Sequence, residues 1–189
     1  MRKNSKLAYL IGVALGDGNL SRPNNRATRL RITCDTRYPL LMAEIQETLR
    51  NLFPNNKVSL VKRKDNCTDV SVYSNKLDEI MPWQVGKGSK FTQKASVPQW
   101  VFDKTVFIRA CLRGLLQTDG SIYLDRGYTM VNFTNHTKKL VLDTHRLLSI
   151  IGYTAHIYQN TNTKNKTKYV VRVSKNTERL LSELRLKKE

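Results

Sequence analysis

The chain has 189 residues and carries 33 lysines and arginines against 15 acidic residues, a formal net charge of +18. Because such an excess of one sign repels itself in a compact fold unless a polyanion relieves it, nucleic acid is the expected partner, ahead of a membrane surface. Three cysteines without a Cys-x-x-Cys pair disfavour a disulfide framework and a zinc site, and the apolar stretches fall far short of a membrane span or a secretory signal.

The first half of the chain begins with an apolar helix that ends in Asp-Gly, LIGVALGDG over residues 10–18. A strand over 29–33 follows, in which Leu30 and Ile32 alternate with polar residues and define a buried face. The elements predicted for this half are, in order, the apolar helix, strands over 19–22 and 29–33, a helix over 38–53, strands over 57–62 and 68–73, and a short helix over 75–81.

Residues 82–104 are predicted to be a loop, flexible at Gly86–Lys90, whose aromatic residues pack on the body of the protein. The second half then repeats the order of the first, and Gly152 suits the end of its middle helix. The predicted elements are a helix over 105–117, strands over 121–124 and 128–134, a helix over 138–151, strands over 154–159 and 169–173, and a helix from 175 onward. A solvated hairpin tip is expected over 160–168.

This order predicts an α+β fold of two pseudo-symmetric αββαββα halves. We assign residues 1–82 to the first half, 83–104 to a linker and 105–189 to the second half. The second half also begins with an apolar helix ending in Asp-Gly, LRGLLQTDG over residues 112–120, and no other Asp-Gly occurs in the chain. Each copy has small residues four positions apart, which lie on one helix face and let two helix backbones approach closely.

Packing these two helices side by side brings Asp17 and Asp119 together at their C-terminal ends. A carboxylate is disfavoured there by the helix dipole, and two neighbouring carboxylates repel each other. Bound divalent cations remove both penalties, and oxygen ligands with retained water suit Mg²⁺. Two or more such ions, shared by the two aspartates and nucleic-acid phosphates, predict metal-assisted hydrolysis of phosphodiester bonds.

The paired motifs and the duplicated order of elements resemble the LAGLIDADG homing endonucleases of the single-chain, two-motif type. The resemblance covers nearly the whole chain. It implies a monomer that cuts double-stranded DNA at a long, nearly asymmetric site, with a curved antiparallel sheet from each half in the major groove. The cysteine usage, with thiols expected to be reduced, indicates an intracellular setting, in an organelle or in a bacterial or phage cytoplasm.

Residue by residue, the resemblance makes Asp17 and Asp119 metal ligands, supported by the backbone carbonyls of Gly16 and Thr118. A basic or amide residue after the second strand orders solvent at the site, a position that Asn135 and His136 fit and for which His136 is the catalytic candidate. In the first half Cys34 and Asp35 stand there, a departure from the family pattern. The catalytic lysine after the fourth strand is matched by Lys76 and Lys175.

Polar side chains on the predicted strands are candidates for contacting DNA. Arginine pairs bidentately with guanine and asparagine with adenine, whereas Lys87, Lys90 and Lys94 are expected to contact phosphate. The DNA-binding candidates are Asn19, Ser21, Arg22, Arg29, Arg31, Thr33, Ser71, Tyr73, Lys90, Ser121, Tyr123, Tyr128, Asn132, Thr134 and Arg172.

Two other functions use the same features. An RNA-binding maturase would assist splicing of its host intron, and a DNA-binding regulator would have lost catalysis. The acids of both motifs favour cleavage, since neither alternative requires them. An enzyme embedded in an intein is less expected than one encoded in an intron, because no splicing domain flanks the motifs.

Overall fold

The computed structural model describes residues 1–160 and 167–186, so most of the hairpin tip expected over 160–168 lies outside the described residues. The first half opens with the motif helix and closes with a four-residue helix. Its elements are α1 (Ser5–Asp17), β1 (Gly18–Ser21), a 3-10 turn (Pro23–Asn25), β2 (Arg29–Asp35), α2 (Pro39–Leu52), β3 (Val58–Lys62), β4 (Cys67–Tyr73) and α3 (Leu77–Ile80).

The second half has the same order after a 3-10 turn in the linker (Gln99–Asp103). Its elements are α4 (Thr105–Thr118), β5 (Gly120–Asp125), β6 (Tyr128–Asn135), α5 (Lys138–Ile150), β7 (Ala155–Asn160), β8 (Lys168–Val173) and α6 (Thr177–Leu184). Within the described ranges, no helix is long and apolar enough to cross a membrane.

Each half forms one four-stranded antiparallel sheet, ordered β1-β2-β4-β3 in the first and β5-β6-β8-β7 in the second. The predicted α+β fold of two equivalent halves is thus confirmed. The registers also correspond, because Gly18 lies opposite Ile32 in one sheet and Gly120 opposite Phe133 in the other. Each sheet therefore leaves its motif helix with the same geometry.

The two faces of each sheet differ sharply in polarity. In β2, Leu30 and Ile32 are fully buried against the helices, while Arg29, Arg31 and Thr33 occupy the alternate positions on the other face. The alternation read from the sequence therefore defines which face is packed and which is free for a ligand.

The two halves meet along α1 and α4, whose backbones touch at two glycines. A Cβ on Gly114 would lie 2.5 Å from the carbonyl oxygen of Tyr9 and 2.6 Å from the amide nitrogen of Val13, and a Cβ on Gly12 would overlap the carbonyl of Cys111. No side chain fits between these helices at either point. The small-residue pattern thus sets the distance between the halves.

The linker packs more unevenly than expected. Trp83 and Val97 are buried, and Gly86 and Gly88 adopt positive φ angles of 78° and 89° where the chain turns back on itself. Phe91, expected to pack on the body, keeps 42% of its surface exposed. This turn directs the residue before Phe91, Lys90, into the protein.

Candidate active site and nucleic-acid interface

The two motif aspartates lie side by side at the ends of α1 and α4. Asp17 is the last residue of α1, and Asp119 follows the last residue of α4. A Cβ placed on Gly16 would overlap the Thr118 side chain and lie 3.5 Å from the carboxyl carbon of Asp119. Glycine at position 16 therefore lets the C-terminal end of one helix reach the acid of the other.

The glycine after each aspartate explains why these acids stand at the junction of helix and strand. A Cβ on Gly18 would lie 2.5 Å from the carbonyl oxygen of Ala14, and one on Gly120 would lie 2.8 Å from the Cα of Leu116. Only glycine allows the strand to leave so close to the last helical turn. Each Asp-Gly therefore places one carboxylate where its motif helix ends and the first strand of its sheet begins.

Lys90 is the residue at this site whose position the sequence did not indicate. Its ammonium donates hydrogen bonds to the carbonyl oxygens of Ala14 at 3.1 Å and Leu15 at 2.8 Å, and to that of Gly16. These carbonyls belong to the last turn of α1, where a cation is favoured by the helix dipole. The linker thus places a positive charge next to the first motif aspartate.

The electrostatic setting of Lys90 supports this placement. Burial lowers the pKa of the Lys90 ammonium to about 8, while the carboxylates of Asp119 and Asp17 act in the opposite direction. The ammonium also lies 5.5 Å from the centre of the Trp83 ring. We expected Lys90 to contact DNA phosphate, and the structure instead places it between the two halves, beside both acids.

The residue two positions after the partner of the motif glycine, near the end of the second strand, differs between the halves. In the second half, the Asn135 side chain donates to Asp119 Oδ2 at 2.6 Å and accepts from the Thr137 amide at 2.8 Å. Cys34 holds the corresponding place in the first half, where burial raises the pKa of its thiol to about 12, with Asp17 and Asp69 adding to the effect. One acid is therefore oriented by an amide, and the other has a protonated thiol nearby.

His136, expected to be catalytic, is not the residue that reaches the acid. Its Nδ1 lies 3.0 Å from the carbonyl oxygen of Thr167, and the ring is exposed. Asn135 is the last residue of β6 and His136 follows it. Because successive side chains of an extended chain face opposite sides, only one of the two can point toward Asp119. The structure assigns that contact to Asn135.

Lys76 and Lys175, also expected to be catalytic, lie away from the acids. Each follows the end of a strand that runs away from its motif. In the first sheet, Ile32 lies opposite Gly18, next to the motif aspartate. Tyr73, the last residue of β4, pairs with Arg29, which lies three positions away from Ile32 along β2. Three positions correspond to roughly 10 Å along a strand, and Lys76 comes after the end of β4. In the second half Lys175 lines a groove with the β5–β6 hairpin.

The site offers a metal ion two side-chain carboxylates, those of Asp17 and Asp119. Within the described part of the chain, no group of three or more His, Cys, Asp or Glu side chains is placed to hold a metal ion. Paired carboxylates and a carbonyl such as that of Thr118 are hard oxygen donors, which fit Mg²⁺ when phosphate oxygens and water complete the shell. The Gly16 carbonyl, expected to be a supporting ligand, already accepts from Lys90.

The polar face of the first sheet carries arginines in ordered positions. Arg29 donates to the Ser21 hydroxyl at 3.1 Å and lies 6.0 Å from the centre of the Tyr73 ring. Arg31 lies between Asn19 on β1 and Ser71 on β4. Arg22, a further candidate, is instead paired with Asp78 at 2.7 Å.

The polar face of the second sheet is built from aromatic and amide side chains. Asn132 lies between Ser121 and Arg172 in the register and donates to the Tyr123 hydroxyl at 3.1 Å. Tyr128 is 74% exposed at the start of β6, and Thr134 follows on the same face. The two halves thus present different chemistry to a ligand.

Several buried polar atoms on these faces have no partner within the described residues. They are Nε of Arg31, Oδ1 of Asn132 and Nε of Arg172. Buried polar groups are nearly always hydrogen-bonded in folded proteins. Such atoms also occur away from the two sheet faces, in Tyr9, Arg113, Gln117 and Tyr153.

The fold and the site define a single-chain α+β protein whose two halves share one acidic pair at a helix seam. A family model described as a LAGLIDADG-like domain matches residues 106–185, and one described as a WhiA LAGLIDADG-like domain matches residues 6–82. The chain belongs to the LAGLIDADG family and carries two motifs.

Solved structures share this fold over nearly the whole chain. The homing endonuclease I-DmoI in complex with DNA and Mn has a TM-score of 0.69 at 21% identity and covers 95% of this chain and 96% of its own. Its complex with DNA and Ca has a TM-score of 0.64 at 19% identity, covering 94% and 86%. Full-length DUF199/WhiA from Thermatoga maritima has a TM-score of 0.66 at 12% identity, covering 97% and 56%.

Curated relatives are matched over a small part of their length. The DNA polymerase of Thermococcus hydrothermalis is 29% identical over 161 residues, which is 83% of this chain and 9% of the polymerase. That of Thermococcus sp. (strain GE8) is 29% identical over 168 residues, which is 85% and 9%. The chain therefore spans 9% of the length of either relative.

Proposed function

We propose that this protein is a monomeric, sequence-specific endonuclease that hydrolyses both strands of DNA at a long, nearly asymmetric site, using Mg²⁺. The observation that carries the proposal is the seam, where two aspartates from separate halves meet beside Lys90. A protein that only binds DNA has no use for two adjacent carboxylates, which repel phosphate. The homing endonuclease I-DmoI, of similar fold, is found in complex with DNA and with Mn or Ca.

Each half supplies one part of the chemistry. Asp17 and Asp119 would hold divalent ions, which supply charge neutralisation and an activated water when bound. Asn135 orients the Asp119 carboxylate through its amide. The Lys90 ammonium, which donates to the carbonyls of the last turn of α1, places a positive charge beside both acids, where it would stabilise negative charge on phosphate oxygens through space. The two sheets bind the DNA on either side of the seam.

Lys90→Met is expected to lower the cleavage rate about tenfold or more, because it removes a positive charge beside the two acids, where negative charge develops on phosphate oxygens. Binding to the same site should change little, since the Lys90 ammonium donates its hydrogen bonds to carbonyls of α1 and not to the DNA. Single-turnover cleavage of a plasmid and a parallel binding titration measure both quantities. Lys104→Met is the matched control, because this exposed lysine lies at the start of α4, at the opposite end of the helix from Asp119, and it should cut at the parental rate. Equal rates for the two variants would exclude Lys90 from the site.

The proposal is tested by incubating the purified protein and Mg²⁺ with a plasmid library of randomised sites and sequencing the cut ends. Cuts at one long, asymmetric sequence support it. The similarity of residues 6–82 to a WhiA LAGLIDADG-like domain favours binding without cleavage as the second candidate. If the protein binds without cleaving, one sequence from the library should be retained on the protein in Ca²⁺, and no cut ends should be found in Mg²⁺.

Binding is expected to depend steeply on salt. A surface of this charge would neutralise on the order of 6–10 phosphates, so affinity should fall about a thousandfold or more between 50 and 200 mM salt. Titrations of labelled duplex DNA at several salt concentrations measure the slope. A titration that hardly responds to salt would contradict nucleic acid as the main partner.

A further inference from the structure

Asp69 is an acidic side chain on the surface that the proposed function assigns to DNA. Among the described strands, Asp35 and Asp125 end their strands, whereas Asp69 lies within β4 on the polar face. The residue is only 8% exposed. Because a carboxylate at a DNA-binding surface repels phosphate, its presence in a protein of charge +18 requires a compensating role.

Three side chains from two neighbouring segments converge on this carboxylate. The Thr33 hydroxyl donates to Asp69 Oδ1 at 2.7 Å. Arg31 Nη1 lies 3.7 Å from Oδ2, and Arg63 Nη1 lies 3.8 Å from Oδ1. Arg63 is also held at 3.0 Å by Asp65, an exposed residue of the β3–β4 turn. Asp69 is therefore the common anchor of two guanidinium groups.

A direct role for Asp69 in base recognition does not fit these contacts. A carboxylate can accept a hydrogen bond from the cytosine amino group, but this one is buried and its oxygens already have partners. Arg31 by contrast has a side chain that is 34% exposed, with a buried Nε that finds no partner within the described residues. In this pair Asp69 is the buried partner, and Arg31 is the partner that a base can reach.

We propose that Asp69 is a positioning residue for sequence recognition, which holds Arg31 in the orientation that reads a guanine in the first half-site. The inference rests on the proposed function and adds a base identity to it. Arginine binds guanine O6 and N7 through two parallel donors, so discrimination requires a fixed guanidinium plane. An unanchored arginine would rotate toward the nearest phosphate, which attracts it equally at every sequence.

Asp69→Asn is the test, because the amide keeps the size and the acceptor for Thr33 but removes the charge that holds the arginines. The readout is the base preference at each position of the selected site, measured by binding to a library in Ca²⁺. We expect the preference for guanine at one base pair to fall about tenfold, the scale of one bidentate contact. Affinity for unrelated DNA should stay the same or rise. Arg31→Ala should lose preference at that same base pair.

Asp65→Asn is the matched control, since it releases Arg63 from its exposed partner and leaves Asp69 in place. Its base preferences should equal those of the parent. An unchanged profile for Asp69→Asn overturns the inference, as does a preference for another base at the Arg31 position. A uniform loss at all positions, with a lower Tm, would show a purely structural role. If the parent protein binds DNA without any base preference, the proposed function itself fails, and the inference fails with it.

Discussion

Asp17→Asn and Asp119→Asn are each expected to abolish double-strand cleavage while leaving specific DNA binding in place. Asparagine preserves the size and the hydrogen bonds of the side chain but removes the charge that holds a divalent ion. Each variant should therefore lose cleavage below detection at protein concentrations where the parent cuts fully. Binding should be equal or tighter, because a negative charge beside phosphate is lost. Cleavage and binding are measured on the same duplex.

In the parent protein, substitution of Ca²⁺ for Mg²⁺ should likewise suppress cleavage and leave DNA binding in place, since Ca²⁺ binds with looser geometry. Asp78→Asn is the control, because this acid lies in α3, where it pairs with Arg22. It should cut normally. Full cleavage by Asp17→Asn or Asp119→Asn would assign that aspartate to helix capping, for which asparagine serves equally well.

Gly12→Leu is expected to destabilise the protein by about 3 kcal/mol or more, at the upper end of overpacking effects. The reason is that the space beside Gly12 is filled by the Cys111 carbonyl, which is backbone and cannot move away as a side chain could. For a chain of this size the loss corresponds to a Tm lower by about 6–12 °C. Thermal unfolding followed by circular dichroism measures it, and Gly114→Leu should behave alike.

Val106→Leu adds bulk to the exposed face of α4, where the valine is 55% exposed. It should leave the Tm within about 1 °C of the parent, because surface substitutions rarely exceed a few tenths of a kcal/mol. A Gly12→Leu protein as stable as this control would mean that α1 and α4 do not pack backbone to backbone in solution.

The fold was predictable because its signals are local and occur twice. The alternation of Leu30 and Ile32 with arginines defines a strand face without knowledge of its neighbours. The matching Asp-Gly motifs then locate both acids at the helix ends. Element boundaries differed by one or two residues, as for α2, expected over 38–53 and found over Pro39–Leu52.

The candidate site was less predictable wherever it depends on long-range geometry. Lys76 follows a strand in sequence, but the antiparallel register carries it away from Asp17. Lys90 reaches the acids only because the linker turns back at Gly86 and Gly88, and its spacing to Asp17 has no periodic signal. Asp69 could have been noticed as an acid at an outward-facing position of a basic strand pair. Its partner Arg63 lies beyond the end of β3 and was not accessible to pattern analysis.

The central claim is that two aspartates from separate halves act at one DNA site, and strand-resolved cleavage tests it most directly. The selected site is placed in a supercoiled plasmid, and Mg²⁺ starts a single-turnover reaction with the parent protein and with Asp119→Asn. The account predicts that the parent linearises the plasmid by cutting both strands at one position, while the variant yields no linear product and retains full binding. Linear product from Asp119→Asn, or a parent protein that binds the site tightly and cuts neither strand, would contradict it.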